Sequence, residues 1–108
     1  MSEMAQKSRR EMLEEMLASD PKDTFLRYAL AMELAREGKP AEAVTALRKL
    51  IADQSHYVPA YFQAAQILVR EGENEPAADL LRQGITAARE QSNLHAAEEM
   101  AGLLAQIE

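Results

Sequence analysis

The stretch REGKPAEAVTALRKLI at residues 36–51 returns at residues 70–85 as REGENEPAADLLRQGI, an offset of 34 residues. When residues 27–53 are laid over residues 61–87, nine of the 27 positions are identical. Self-similarity at a fixed spacing is typical of repeat proteins, in which each unit buries its apolar face against its neighbours. The sequence therefore predicts a fold built from stacked copies of one unit.

Each copy consists of two amphipathic segments separated by a glycine. Apolar residues recur at spacings of three and four on both sides of Gly38 and Gly72, which predicts a helix before and after each glycine. Glycine takes the left-handed conformation that ends a helix at low steric cost, and Pro40 and Pro76 suit the first turn of the helix that follows. The unit is thus a helix, a glycine turn and a second helix.

The segments outside the two copies are also helical in pattern. A first helix is predicted from about Ala5 to Ala18, ended by the sequence Ser-Asp-Pro at residues 19–21, because proline disfavours helical geometry at the residue before it. Ser92 or Asn93 is predicted to cap a last helix. Its apolar stripe comprises Leu94, Ala97, Met100, Ala101, Leu104 and Ile107. The six predicted helices cover about residues 5–18, 22–37, 40–53, 59–71, 76–88 and 93–107, with connections short enough to make consecutive helices antiparallel neighbours.

Composition limits the class of protein. The chain has 108 residues, 18 acidic against 12 basic side chains and a formal net charge of −6. The length fits one domain, and the acidic balance argues against nucleic acid as a partner, because phosphate backbones are bound by clustered cations. No apolar run approaches the roughly 20 residues that span a bilayer. We therefore expect a cytoplasmic protein without membrane insertion.

Catalytic chemistry has little basis in the sequence. The chain has no cysteine, which excludes disulfides, thiolate nucleophiles and Cys-ligated zinc. It also lacks a glycine-rich phosphate loop. His95 lies one turn from Glu98 and Glu99, but two neighbouring ligands do not make a zinc site. We predict no enzymatic activity, no catalytic residue, no cofactor and no metal ion.

The 34-residue unit resembles the tetratricopeptide repeat, whose pattern alternates small and large apolar residues on two helices. The matching residues in the first copy are Leu30, Ala31, Leu34, Ala43 and Leu47, and in the second Tyr61, Ala64, Ala65, Leu68, Ala77 and Leu81. Alanines at these positions let the two helices approach closely, while the leucines fill the layers around them. The sequence departs from the family at Arg27, where an aromatic is expected, at Leu50 and Gly84, which differ in size, and in lacking a closing proline.

This resemblance implies an all-α fold in which antiparallel helix hairpins stack as a short right-handed solenoid of about six helices. We expect a single domain over residues 1–108. Within it, residues 1–21 form an N-terminal half-repeat, 22–55 the first repeat, 56–91 the second repeat, and 92–108 a C-terminal capping helix.

The resemblance also implies a function in protein–protein interaction, as a scaffold that binds a peptide or partner helix in its concave groove. The residues at the matching positions are Phe25, Tyr28, Met32 and Arg36 from the first repeat, and Phe62, Gln63, Gln66 and Arg70 from the second. A variant of the family clamps a C-terminal carboxylate with lysines and asparagines, but Tyr28, Met32 and Gln63 stand at such positions, so that clamp is not supported.

Other roles for these residues stay open. Phe25 and Tyr28 either line the groove or pack against the first helix, and Arg36 and Arg70 could serve only to offset the helix dipole. Tyr57 and Tyr61 are expected at the seam between repeats. The alternative function is self-assembly as a homo-oligomer through the terminal helices, and the partner's identity is not contained in the sequence.

Overall fold

The computed structural model describes residues 7–108, which form six α-helices and no strand. The helices are α1 (Arg9–Ser19), α2 (Thr24–Arg36), α3 (Pro40–Asp53), α4 (Val58–Arg70), α5 (Asn74–Glu90) and α6 (Leu94–Ile107). Each helix packs against the next one along the chain, and α4 also contacts α6. The molecule measures 52 × 28 × 20 Å, as expected for hairpins stacked in one direction. The predicted all-α fold of six helices is confirmed.

The helix ends follow the local hydrogen-bonding chemistry. The first helix begins at Arg9 and not at Ala5, because Ser8 caps its N-terminus in a capping box. The Ser8 hydroxyl accepts from the Glu11 amide at 3.0 Å, and the Glu11 carboxylate accepts from the Ser8 amide at 2.9 Å. Ala5 itself lies outside the described residues. The predicted start at residue 1 of the half-repeat is likewise outside them.

Two other helix starts also differ from prediction by two residues. Asp23 caps α2 by accepting from the Leu26 amide at 2.8 Å, so this helix begins at Thr24 and not at residue 22. The fifth helix begins at Asn74, which leaves Pro76 inside the first turn, where a proline costs no helical hydrogen bond. Of the two candidate caps for α6, Asn93 is the one that caps it.

The two glycine turns are built alike. Gly38 and Gly72 both have a φ of 78°, the left-handed conformation that the sequence predicted. In each turn the amide after the glycine donates back to a leucine carbonyl, Lys39 to Leu34 at 3.0 Å and Glu73 to Leu68 at 2.8 Å. Helices α3 and α5 therefore leave their turns in the same way, so the two hairpins have the same turn geometry.

The small residues of the repeat lie where the hairpin helices meet. Ala31 and Ala43 in the first hairpin, and Ala65 and Ala77 in the second, are fully buried. The core is continuous from α2 to α6, so every helix from α2 onwards contributes to it.

The outer side of α6 does not follow the prediction. Ala97 and Met100 are buried, but Leu94 is 64% exposed and Ala101 is also exposed, although all four belong to the predicted apolar stripe. The reason is that, within residues 7–108, no helix packs against this side of α6. Leu104 and Ile107 are only partly buried for the same reason.

The first helix contacts α2 through one buried leucine and two ion pairs. Leu13 is its one buried residue within the described part of the chain. The guanidinium of Arg9 lies 3.4 Å from the Glu33 carboxylate, and that of Arg10 lies 3.1 Å from Glu37, both on α2. Glu33 is itself buried, and Arg36 approaches the same oxygen at 3.2 Å.

Candidate functional site: the groove between α4 and α6

An open groove of about 510 Å³ runs between α4 and α6. Its walls are formed by Phe62, Gln66, Val69 and Arg70 from α4, and by Glu98, Glu99, Gly102, Leu103 and Gln106 from α6. Both helices pack on α5, which lies behind them and holds them side by side. The rigid helices, and not a loop, thus fix the spacing of the groove.

Three of the predicted binding residues line this groove together, namely Phe62, Gln66 and Arg70. They stand on one face of α4 because they are spaced by four residues, about one helical turn. Their side chains differ in kind: an aromatic ring, an amide and a cation. Phe62 and Gln66 are half-buried and Arg70 is exposed.

The α6 wall of the groove was not predicted as part of the site. Glu98, Gly102 and Gln106 follow Phe62, Gln66 and Arg70 at an offset of 36 residues. The two extra residues break the 34-residue period, and for this reason the sequence predicted this helix only as a C-terminal cap. The signal that could have found the wall was the match of Met100, Ala101 and Leu104 to the repeat pattern once that insertion is allowed.

The two walls carry opposite charges. Arg70 stands on α4, while Glu98 and Glu99 stand on α6, a helix without a lysine or arginine. Within residues 7–108, no carboxylate lies within salt-bridge distance of the Arg70 guanidinium. Between the charges, Phe62 and Leu103 offer apolar surface, and a Cβ added at Gly102 would meet open space. This arrangement can accept an apolar side chain flanked by polar or charged groups.

The corresponding seam between α2 and α4 is filled by aromatic packing. The rings of Tyr28 and Tyr57 meet edge to face, with centroids 5.5 Å apart and planes at 72°. Burial and then the neighbouring Tyr57 raise the pKa of Tyr28, while the Gln63 side chain acts in the opposite direction. Tyr28 and Gln63 therefore lie together at this seam, apart from the groove lined by α6.

The other three predicted binding residues lie separately on α2. Phe25 is 66% exposed at the start of the helix, and Met32 is half-buried. Arg36 is exposed, but its guanidinium is held by Glu33 at 3.2 Å in the i, i+3 arrangement. The structure thus places the eight predicted residues in three settings: three line the groove, two lie at the seam between α2 and α4, and three lie along α2.

Tyr61 lies at the core of the second hairpin, behind the groove. Its ring is buried, and its hydroxyl donates to the Ser55 carbonyl at 2.7 Å. Burial, and secondarily the charge of Glu90, raise the pKa of Tyr61. Burial also raises the pKa of Tyr57. Tyr57 meets Tyr28 at the seam between repeats, where the sequence placed it, whereas Tyr61 packs within the second hairpin and reaches the turn between the repeats only through its hydroxyl.

The part of the chain that the structure describes holds neither a cluster of metal ligands nor a membrane-spanning helix. In it, no three histidine, cysteine, aspartate or glutamate side chains cluster closely enough to hold a metal ion. None of the six helices is long and apolar enough to cross a membrane.

Comparison with known proteins gives a consistent result. A sequence model described as "Tetratricopeptide repeat" matches residues 34–107. No curated protein matches the chain. The solution structure of a tetratricopeptide repeat domain protein from Salinibacter ruber is similar at 28% identity and a TM-score of 0.77, covering 82% of this chain and 89% of that one.

Two further structures are similar to the chain. A crystal structure of the tetratricopeptide repeat domain protein from Salinibacter ruber has 27% identity and a TM-score of 0.73, covering 79% of this chain and 94% of that one. The solution structure of a protein from Bordetella parapertussis has a TM-score of 0.81 at 22% identity, covering 94% of this chain and 89% of that one, and supports the fold alone.

Proposed function

Because the chain belongs to the tetratricopeptide repeat family, whose repeats generally mediate protein–protein interaction, we propose that it binds a peptide or helix of a partner protein between α4 and α6. The observation that carries this proposal is the open groove whose two walls present unlike charges across an apolar floor. Residues 1–108 act in this proposal as one domain, with the repeat boundaries given above.

The groove offers each kind of contact that peptide recognition uses. Phe62 and Leu103 supply apolar area for an anchoring side chain, which carries most of the affinity at such interfaces. Gln66 and Gln106 can pair with the peptide backbone, since each amide both donates and accepts. Arg70 can hold a carboxylate through two parallel hydrogen bonds.

The remaining predicted residues extend this surface towards α2. Phe25 is exposed and can supply further apolar area, while Tyr28, Met32 and Gln63 are partly buried and offer less surface each. Arg36 contributes less, because Glu33 already neutralises it. We expect binding energy to be concentrated around Phe62 and Arg70, with the α2 residues as a weaker continuation.

The proposal is tested by comparing partner capture between matched variants. The full chain is used as bait in four forms: wild type, Phe62→Ala with Arg70→Ala, Phe25→Ala, and Arg89→Ala. Arg89 is an exposed arginine on α5 that does not line the groove, so it controls for loss of charge. Proteins that bind the groove are captured by wild type and by Arg89→Ala and are lost with the double variant.

Affinity then gives the magnitude. For a captured partner segment measured by calorimetry, the double substitution is expected to weaken binding at least tenfold, or about 1.4 kcal/mol. If all four baits capture the same proteins, and circular dichroism shows that each variant is folded, the proposal that the partner binds in the groove is wrong.

A further inference from the structure

The exposed side of α6 is the side that α2 and α4 bury. Ala101 follows Ala65 at an offset of 36 residues, and Ala65 follows Ala31 at 34. Ala31 and Ala65 are fully buried, whereas Ala101 is exposed. The difference arises because α3 packs on α2 and α5 packs on α4, while no described helix packs on the matching side of α6. Helix α6 therefore corresponds to the first helix of a hairpin, and no helix within residues 7–108 stands in the place of the second.

Helix α1 has the opposite deficiency. Counting back 34 residues places Leu13 at the position of Leu47, and Met16 at that of Leu50. Leu50 is fully buried, but Met16 is 51% exposed, and Met12 beside it is exposed as well. Helix α1 is thus the second helix of a hairpin, and no helix described in residues 7–108 stands in the place of its first.

We propose that α1 of one copy of this chain docks antiparallel on α6 of a second copy, completing one helix hairpin from two molecules. The contact would repeat the α2–α3 and α4–α5 interfaces already present within each copy. In repeat proteins each unit stacks on the next, and an uncovered end can bind a further unit. The occupant is a second copy because the chain itself carries both missing halves.

The chemistry of the two faces fits this pairing. Ala101 is small and permits close approach of a helix, while Met12 and Met16 are long and flexible and can fill an irregular gap. Antiparallel docking brings the N-terminal turn of α1 beside the C-terminal end of α6. That end carries the negative pole of the helix dipole and has no basic residue from 91 to 108. Arg9 and Arg10 in the N-terminal turn of α1 already pair with Glu33 and Glu37 of their own copy, so their charge favours the contact only weakly.

One residue weakens the contact. Arg9 occupies the position of Ala43 and Ala77, the alanines at the closest approach in the intact hairpins. Its long side chain must turn aside, as it already does towards Glu33. The association is therefore expected to be reversible and to depend on concentration, in contrast to the covalently linked hairpins.

The pairing joins unlike faces, so its symmetry is testable. An interface between unlike faces leaves a free face at each end of a dimer, and further copies can add. An interface of two α6 faces, or of two α1 faces, would close after two copies. The proposed contact does not involve the groove between α4 and α6, and it stands independently of the function proposed above.

The experiment uses one blocked face at a time in the full chain. Ala101→Asp blocks the α6 face, Met16→Asp blocks the α1 face, and Ala52→Asp is a control at an exposed alanine on α3. Sedimentation velocity over a hundredfold range of concentration is expected to show the mass of wild type and Ala52→Asp rising above the 12.0 kDa of one copy. Each blocked variant alone is expected to stay at one copy.

Mixing the two blocked variants gives the decisive result. One intact α1 face and one intact α6 face remain in the mixture, so the expected product is a dimer of twice 12.0 kDa that grows no further. A wild type that stays monomeric throughout overturns the proposal. So does a dimer formed by either blocked variant alone, or a mixture that stays monomeric while wild type associates. Circular dichroism of each variant confirms that the fold is retained.

Discussion

The two hairpins, α2–α3 and α4–α5, share their turns and their alanine contacts but fill their centres differently. In the second hairpin, Tyr61 lies against Gly84 so closely that a Cβ added to the glycine would stand 2.7 Å from the Tyr61 Cβ. In the first hairpin the same two positions hold Arg27 and Leu50, and Leu50 is fully buried. Volume lost on one helix is supplied by the other, as close packing requires.

This exchange explains the departures from the family pattern. Arg27 lacks an aromatic ring, and its guanidinium pairs with Asp53 at 3.0 Å. Leu50, which is fully buried, supplies on α3 the bulk that Gly84 lacks on α5. The residues at the two positions therefore compensate for each other: a large residue at one accompanies a smaller residue at the other.

A second difference separates structure from function at one repeated arginine. Arg36 and Arg70 occupy the same place in their repeats, but Glu33 precedes one and Ile67 the other. Glu33 is buried and pairs with both Arg36 and Arg9, so in the first repeat the charge of the arginine is already neutralised beside α1. Ile67 offers no charge, which leaves Arg70 on the wall of the groove. The same residue in the same repeat position is thus ion-paired in the first repeat and, within residues 7–108, not ion-paired in the second.

The largest expected effect comes from removing the bulk that the first hairpin keeps on α3. Leu50→Ala deletes a fully buried side chain whose partner position, Arg27, cannot fill the gap, and we expect a loss of about 2–5 kcal/mol in the free energy of unfolding. Urea unfolding followed by circular dichroism measures it. Leu94→Ala, at an exposed leucine on α6, is the control and should change stability by less than about 0.5 kcal/mol. Equal losses in both variants would contradict the packing described for Leu50.

A smaller effect is expected from adding bulk to the second hairpin. Gly84→Ala places a methyl group 2.7 Å from the Tyr61 Cβ, which is fixed to its helix, and from the Met100 sulfur, which can move. Overpacking of this kind costs about 1–3 kcal/mol. Gly102→Ala is the matched control, because that glycine is also helical but has open space around it.

The control, Gly102→Ala, should raise the free energy of unfolding, whereas Gly84→Ala should lower it. Alanine is favoured over glycine within a helix, so Gly102→Ala is expected to stabilise the protein by roughly 0.5–1 kcal/mol. A Gly84→Ala variant as stable as Gly102→Ala would show that the close contact with Tyr61 is absent.

These comparisons show what the sequence could reveal. The 34-residue offset predicted the helix pairs, the turns at Gly38 and Gly72, and the alanine contacts, because each depends on local pattern. The exchange of Tyr61 and Gly84 in one hairpin for Arg27 and Leu50 in the other appeared in the sequence only as separate departures from the family pattern. Distance along the chain does not show which side chains touch. It takes the packed structure to show that the two positions face each other.

The groove was predicted only on one side for a related reason. Phe62, Gln66 and Arg70 were found because α4 obeys the period of the repeat. The opposite wall on α6 is displaced by two residues, which moves Glu98 and Gly102 out of register with a strict 34-residue offset. The charge contrast across the groove is a property of two helices together, so neither helix alone could indicate it.

The smallest expected effect concerns the hydroxyl of Tyr61, a group that the first hairpin lacks because Arg27 stands in its place. At neutral pH, Tyr61→Phe loses the hydrogen bond to the Ser55 carbonyl, at a cost of about 0.5–1.5 kcal/mol. Since burial raises the pKa of Tyr61 above its ordinary value of 10.0, the folded state prefers the protonated phenol. Its contribution to stability is present in full below pH 10 and is lost as the pH rises through the raised pKa. Unfolding by urea between pH 8 and 11 should therefore show the wild-type and Tyr61→Phe curves converging above pH 10, whereas curves that stay parallel would mean that the Tyr61 phenol titrates alike in the folded and unfolded chains.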